Sequence, residues 1–452
     1  MGSPRVLFVS HGHRMIRLGG VEVYAAELYE AMRALGLFEP LLVARAEAPV
    51  TALPSLPDES RFGPVDSDPN QYLFYTDGAS YDWLFGTSRD KSTYVRHFHE
   101  FLRTVRPDVV HFQHTLSLGY DMVRQVRNTL PDVPIVYTLH EYLPICHRDG
   151  QMVRTLGNEP CMEESPRRCH ECFPDVTPQA FFMRKRFIQA QLALVDAFLA
   201  PSRFLLEQYV RWGIPRERIR FEDYGRPHPP WGGGSLRVPR RRFPDRFGFF
   251  GQVNPFKGLD VLLRAMEIVE VDASPAGGVI DGTSQEDPRP RLWIHGVNLE
   301  LQRGSFQNEI HALLESTRNS VTLVGPYDPR ETSARMQRID WVVVPSIWWE
   351  NSPLVIQEAF LHGRPVICSD IGGMAEKVTH GVNGLRFDAG DPSSLAATIL
   401  RAASDPALWE RLQRRVPNVY RIEDHVASLV ALYEDLLAKR GSASRMERSR
   451  AG

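Results

Sequence analysis

The stretch SIWWENSPLVIQE, Ser346–Glu358, decides how this chain folds. It follows the apolar run Trp341–Val344, which reads as a buried strand. Ser352 is a favoured N-cap and Pro353 suits the first helical position, so a helix is expected to open here. Gly363 and Pro365 close it, leaving a helix of about three turns. A buried strand running straight into a helix is the repeating unit of a parallel α/β sheet. Ligands of such sheets bind at the carboxyl ends of the strands, where this helix begins.

The chemistry follows from that placement. Free amides at a helix N-terminus, together with the helix dipole, attract phosphate, and Asn351, Ser352, Pro353 and Leu354 line the tip. Glu350 lies in the loop just before it, where a carboxylate accepts hydrogen bonds from sugar hydroxyls. Glu358 lies about 8–9 Å further along, a position suited to gripping vicinal ribose hydroxyls. Its neighbours Leu354, Val355, Ile356, Ala359, Phe360 and Leu361 are apolar, so this carboxylate needs a partner.

Working outward, the same strand–helix rhythm repeats on both sides. Phe247–Phe250, Arg291–Ile294, Val321–Val324 and Pro365–Cys368 read as further strands of this half. Val6–Ser10, Leu41–Val43, Asp108–Phe112, Pro134–Leu139 and Ala197–Ala200 form a second set, with an amphipathic helix from Val21 to Leu35. Between the sets, 226–242 turns Pro-, Gly- and Arg-rich and reads as a linker. The expected organisation is therefore α/β, with domains at 1–225 and 243–415. A helical stretch is read at 416–440, and a disordered tail is expected at 441–452. Three segments break the rhythm: loop-rich, aromatic 46–90, cysteine-bearing 142–175, and the polar Asp272–Pro290 insertion.

Composition narrows the class. A chain of 452 residues exceeds one ordinary core, which supports two domains. A formal net charge of -2 gives no chain-wide basic field, so nucleic acid is not an expected partner. No stretch approaches the roughly 20 apolar residues of a membrane span, and no leader pattern precedes Val6. The protein is expected in the cytoplasm, with peripheral contact at the inner face of the membrane as its closest approach to lipid.

These residues resemble a known family. Glu350 and Glu358, spaced Glu-x7-Glu and followed by Gly363-Arg-Pro-Val-Ile and Gly372-Gly373-Met374-Ala-Glu376, look like the signature of family 4 of the retaining glycosyltransferases. The likeness covers nearly the whole chain and is densest from Phe249 to Phe387. It implies the GT-B fold, two facing Rossmann-like domains with a deep cleft between them, and a 416–440 helix that crosses back to the first domain. It also implies a nucleotide-diphosphate sugar as donor, with the first Glu on the sugar and the second on the ribose. A saccharide or lipid-linked acceptor would bind the N-terminal domain, as in polysaccharide or glycolipid assembly.

Other positions fit the same pocket. Lys257, in Phe249-Phe250-Gly251-Gln252-Val-Asn-Pro-Phe-Lys257-Gly258, would neutralise charge on the departing diphosphate. Gln252 stands where the family often has an Arg, so it can donate a hydrogen bond but carries no charge. Gly19 and Gly20 join the first strand to the first helix and would let backbone approach the ligand. Gly372, Gly373 and Met374 open another helix, whose amides would line the pocket under the sugar, with Glu376 orienting that loop. His140 ends a strand, and the resemblance places it near the reacting carbon. No Asp-x-Asp stands in a metal-holding context, so no metal or other cofactor is expected in catalysis, and retention of configuration is implied by the resemblance alone.

Cys146, Cys161, Cys169 and Cys172 fall in one short segment. Four thiolates complete a structural zinc site, with His147 and His170 as alternative ligands, and packed thiols or disulfides are the other reading. Tyr72, Phe74, Tyr75, Tyr81, Trp83 and Phe85 are either a sugar-stacking surface or a packed flap. The runs Arg184-Lys185-Arg186 and Arg240-Arg241-Arg242 are candidate contacts to anionic lipid headgroups. A non-catalytic binding module, a phosphorylase or an epimerase on the same fold are the competing functions.

Overall fold

The structure, a computed structural model, describes residues 3–16, 19–47, 61–65, 67–228, 243–272 and 289–451. The chain forms two compact units. One comprises Met1–Thr155, Cys161–Pro227 and Tyr420–Gly452, and the other His228–Val419 with Leu156–Pro160.

The first unit is built on an eight-stranded sheet. Its spatial order is Ile219–Phe221, Ala197–Ala200, Ile135–Thr138, Val109–Phe112, Arg5–Ser10, Glu39–Glu47, Asp68–Thr76 and Phe62–Val65. All pairings are parallel except the last, between Phe62–Val65 and Asp68–Thr76. The central strands are buried along their whole length, as helices on both faces require. Part of the stretch 46–90 thus departs from its loop-rich reading. Phe74, in the strand next to the edge, stacks on Phe62 at 4.4 Å, and Phe62 stacks on Phe101 at 4.3 Å. Phe74 and Tyr81 are core, and Tyr72, Tyr75 and Phe85 are half-buried. Trp83 is the exposed exception, while residues 48–60 lie outside the described part.

The final helix, Ile422–Ala451, belongs to this unit and packs on the Gly20–Leu35 helix. Tyr24 Oη and His425 Nε2 share a hydrogen bond of 2.7 Å, and Tyr433 Oη and His111 Nδ1 one of 2.6 Å. The helix continues through 441–451, where a disordered tail is expected from sequence. Those residues include Ala, Arg, Met and Glu, all good helix formers, and no proline interrupts them.

The second unit carries a six-stranded, all-parallel sheet. Its order is Val321–Leu323, Arg291–Val297, Arg246–Gln252, Trp341–Val344, Val366–Ser369 and Gly384–Phe387. The order reverses direction at Arg246–Gln252 and Trp341–Val344, the switch point where such sheets bind ligands. The core on one face gathers Leu262, Met266, Ile294, Trp341, Ile399 and Leu408, all fully buried. Trp341 satisfies its one donor by giving Nε1–H to the Pro244 carbonyl at 3.0 Å. Most of the expected linker, 229–242, and most of the Asp272–Pro290 insertion, 273–288, lie outside the described residues.

Candidate active site

In the second unit, the loop after Trp341–Val344 and the loop after Arg246–Gln252 meet at one point. Asn254 caps the short turn Pro255–Lys257, its Oδ1 accepting from Phe256 N at 3.0 Å and Lys257 N at 3.2 Å. Gly258 follows with φ +67°, and a Cβ there would lie 2.0 Å from the Pro345 carbonyl oxygen. Only glycine lets the two loops come this close. The contact is sealed by Ile347 N–H donating to Phe256 O at 2.9 Å.

That approach delivers Lys257 to Glu350. Glu350 Oε1 accepts from Lys257 Nζ at 2.5 Å, Ser346 Oγ at 2.8 Å and Trp348 Nε1 at 2.9 Å. The carboxylate is buried, whereas the lysine side chain keeps 31% of its surface exposed, and its Nζ lies 5.4 Å from the Trp348 ring centroid. A buried carboxylate paired on one oxygen and an ammonium still reachable by an anion is what a diphosphate-binding corner requires.

The helix that follows is Leu354–Leu361, with Pro353 at the N-cap. It is eight residues long, two turns where three are expected, and starts one residue later than the sequence suggests. Ser352 is buried and precedes the cap; its N–H donates to Asn351 Oδ1 at 2.6 Å. Pro353, at the N-cap, has no side-chain hydrogen bond to give this helix tip. Glu358 lies only about 6 Å from the helix start. It is half-buried beside Tyr327, whose hydroxyl pKa is raised first by burial and next by the Glu358 carboxylate. Tyr327 carries the Arg335 guanidinium 5.3 Å from its ring, and Arg335 Nη1 contacts His295 Nδ1 at 2.9 Å.

Several expected pocket residues do other work. Gly373 N–H is taken by the Glu350 carbonyl at 2.6 Å, and a Cβ on Gly373 would lie 1.6 Å from Asn351 O. Gly372 and Gly373 therefore let the Glu350 loop pack down, and the Gly373 amide is not open to a ligand. Met374 is fully buried in the core, because it anchors its short helix against the sheet. Glu376 is exposed on that helix, and Gln252 ends its strand half-buried. Gly19 is the N-cap of the first helix, and a Cβ there would meet Glu22 Oε2 at 2.4 Å. It makes room for that buried carboxylate; Gly20 is the first helical residue.

In the first unit, His140 stands at the carboxyl end of Ile135–Thr138, as expected. Its Nδ1 shares a hydrogen bond of 2.6 Å with Tyr224 Oη, and its Nε2 lies 3.3 Å from Gln113 Oε1. Burial, then His114 and His11, hold its pKa well below the ordinary value, so the ring is neutral. It is not alone. His11 follows the Arg5–Ser10 strand and pairs with Glu22 at 3.2 Å; His114 follows Val109–Phe112 and pairs with Glu141 at 3.1 Å. The His11 and His114 rings lie 4.4 Å apart. Three neighbouring strands thus end in three histidines. Sequence reasoning missed two of them, although Ser10-His11 and Gln113-His114 directly follow buried strands and carried that signal. Tyr224 and Glu22 had no local signal.

Cys146, Cys161, Cys169 and Cys172 are free thiols. Burial pushes Cys146 up to about 11 and Cys169 up to about 12. Among the described residues no group of three or more His, Cys, Asp or Glu side chains is arranged to hold a metal ion. The cysteines as placed do not fit the expected zinc tetrahedron. Their neighbours face local partners instead: Cys161 Sγ lies 3.3 Å from Glu163 O, His170 Nδ1 2.9 Å from Val176 O, and the His147 ring packs 4.9 Å from Phe173.

Comparison with known proteins gives the family. Residues 18–221 match the model of Glycosyltransferase Family 4, and residues 244–405 match that of Glycosyl transferases group 1. Together these matches span most of the chain, which belongs to the family 4 glycosyltransferases and is an enzyme of that class. A D-inositol 3-phosphate glycosyltransferase of Thermobispora bispora is 24% identical over 406 residues, 86% of this chain and 82% of the relative. The sucrose-phosphate synthase of Thermosynechococcus elongatus aligns with a TM-score of 0.68 at 20% identity, covering 97% of this chain and all, 100%, of that one. Anabaena HepE in complex with UDP-glucose aligns with a TM-score of 0.60 at 16% identity, covering 94% and 99%. These structures share the GT-B fold.

Proposed function

We propose that this glycosyltransferase moves a sugar, with retention of configuration and without a catalytic metal, from a nucleoside diphosphate to a saccharide or lipid-linked acceptor at the cytoplasmic face of a membrane. The observation that carries the reading is the Lys257–Glu350 contact just before the start of the Leu354–Leu361 helix. Lys257 takes the diphosphate and offsets the charge that builds as it leaves. Glu350 accepts from a donor-sugar hydroxyl, and Glu358 from the ribose. The bond from the anomeric carbon to the phosphate oxygen breaks and its electron pair leaves with the diphosphate. The acceptor oxygen bonds that carbon from the same face, and its proton passes to the departing phosphate. The family resemblance assigns neutral His140, fixed by Tyr224, to the donor sugar near its reacting carbon. HepE, described with UDP-glucose, supports a uridine nucleotide as the first donor to try.

The test is incubation of purified protein with UDP-glucose, ADP-glucose and GDP-mannose, with nucleotide release followed and the product anomer read by NMR. Release from at least one donor, with the anomeric configuration kept, is expected. Nucleotide binding without release would assign a binding module instead, a reading that neutral Gln252 in place of an Arg favours. Binding of none would end the proposal.

A further inference from the structure

Of the basic run Arg184-Lys185-Arg186, only Arg186 is exposed for the lipid contact expected of it. Arg184 is buried and gives its guanidinium to the carbonyls of Pro144 and Leu143. Lys185 pairs with Glu164 at 2.9 Å. The run Arg240-Arg241-Arg242 lies outside the described residues. Yet the same segment builds a different surface. The helices Pro166–Cys172 and Pro178–Leu192 pack as a hairpin, each opened by a capping hydroxyl, Ser165 and Thr177. Between them runs a groove of about 580 Å³ lined by Ser165, Pro166, Arg167, Pro178, Phe182 and Met183, together with Gln179.

The longer helix has two distinct faces. Phe181, Arg184, Ile188, Gln191 and Leu192 are buried against the unit. Gln179, Phe182, Met183, Arg186 and Ala190 are exposed, at the spacing of one helical stripe. Phe182 is 53% exposed, Met183 54%, and Met162, three residues before the hairpin, 50%. Large apolar side chains held out in this way mark an interaction surface. Charge then selects the occupant. Residues 165–192 hold five basic and two acidic residues, and the longer helix has no acid at all, in a chain of formal net charge -2. Arg167, Arg168 and Arg186 are exposed. Of the nearby acids, Glu164 is tied to Lys185 and Glu171 to Arg154, which leaves Glu163 and Asp175.

We propose that this hairpin docks the first unit onto a membrane surface rich in anionic phospholipid. Phe182, Met183 and Met162 enter the boundary between headgroups and acyl chains, and the three arginines meet lipid phosphates. A helix with one face packed on protein and the other carrying aromatic, thioether and guanidinium groups is suited to lie in that boundary. No helix among the described residues is long and apolar enough to cross a membrane, so attachment through this face is peripheral. The inference rests on the reading that the acceptor is lipid-linked, because docking brings the first unit to such an acceptor.

Flotation of the full-length protein with vesicles tests it. Binding to vesicles of equal parts phosphatidylcholine and phosphatidylglycerol is expected to be at least tenfold tighter than to phosphatidylcholine alone, and to weaken with added salt. Phe182→Ser combined with Met183→Ser is expected to weaken it at least tenfold. Arg167→Gln and Arg168→Gln are each expected to weaken it about fivefold. All these side chains are exposed, and circular dichroism and nucleotide affinity should not change. Equal binding to both vesicle types, or unaltered binding of the serine variant, would overturn the proposal. So would a dimer in sedimentation velocity that the serine variant abolishes, since the face would then belong to a second copy. Loss of nucleotide binding with vesicle binding intact would strike the sugar-transfer reading alone.

Discussion

The two units build their candidate sites in opposite ways. In the second unit a single short segment, Ser346–Glu358, supplies Ser346, Trp348, Glu350, the helix tip and Glu358, and only Lys257 comes from elsewhere. In the first unit the site is collected by topology. His11, His114 and His140 come from three separate strands, and each is fixed by a residue remote from the strand that bears it: Glu22, Glu141 and Tyr224. A site written in one segment depends on the geometry of that loop. A site assembled from strand ends depends on the sheet and on every buried group behind it.

The largest effect that sharpens this contrast is expected from Glu350→Gln. Removing the charge leaves Lys257, Ser346 and Trp348 with an amide oxygen, and nucleotide release from the best donor should fall at least a hundredfold with the fold intact. Glu358→Ala should lower kcat/KM at least tenfold, mainly by raising the Michaelis constant for the donor, because the ribose contact is made in ground and transition states alike. Equal rates for wild type and variant would detach Glu358 from the donor.

Gly373→Ala tests whether the Glu350 loop is held by backbone packing. The added Cβ would collide with Asn351 O, at 1.6 Å, so the loop must move. A loss of about 2–4 kcal/mol in urea unfolding, accompanied by weaker nucleotide binding, is expected. A normal midpoint with normal binding would show that the loop has room to spare.

The smallest effect concerns pH and falls on the first unit. Burial pushes His111 down to about 3 and His140 well below its ordinary value. The unfolded chain binds those protons near 6.5 and the folded chain does not, so stability rises with pH between the two values. The contribution is complete above about 6.5 and is lost as pH falls. His111 alone should cost about 2 kcal/mol at pH 5. Burial also pushes His295 down to about 4 in the second unit, so that unit should follow with a shallower slope. Pulse proteolysis in urea at pH 7 and pH 5, with fragments assigned to each unit, reads both. Equal slopes would break the comparison.

The same contrast explains what the sequence made legible. Strands such as Trp341–Val344 and Ala197–Ala200 appear at the expected residues because short apolar runs bounded by turn residues encode them locally. Lys257 and Glu350 were readable because both stand in loops just past buried strands. That the Gly373 amide is already taken was not readable, since whether an amide is open depends on which loop packs over it. His11 and His114 were passed over because their meeting, 4.4 Å between rings, is a property of strand order, and the residues are 103 positions apart in sequence. The edge strands at 62–76 were hidden by polar and turn-forming neighbours that weaken the alternation.

The most direct measurement is calorimetric titration of UDP, ADP and GDP into the wild-type protein and into Lys257→Ala. At least one nucleotide should bind the wild type, and the same nucleotide should bind the variant at least tenfold more weakly while its unfolding midpoint stays within a few degrees. Failure of all three to bind the wild type, or equal affinity in both proteins, would contradict a donor diphosphate held at the Lys257–Glu350 corner.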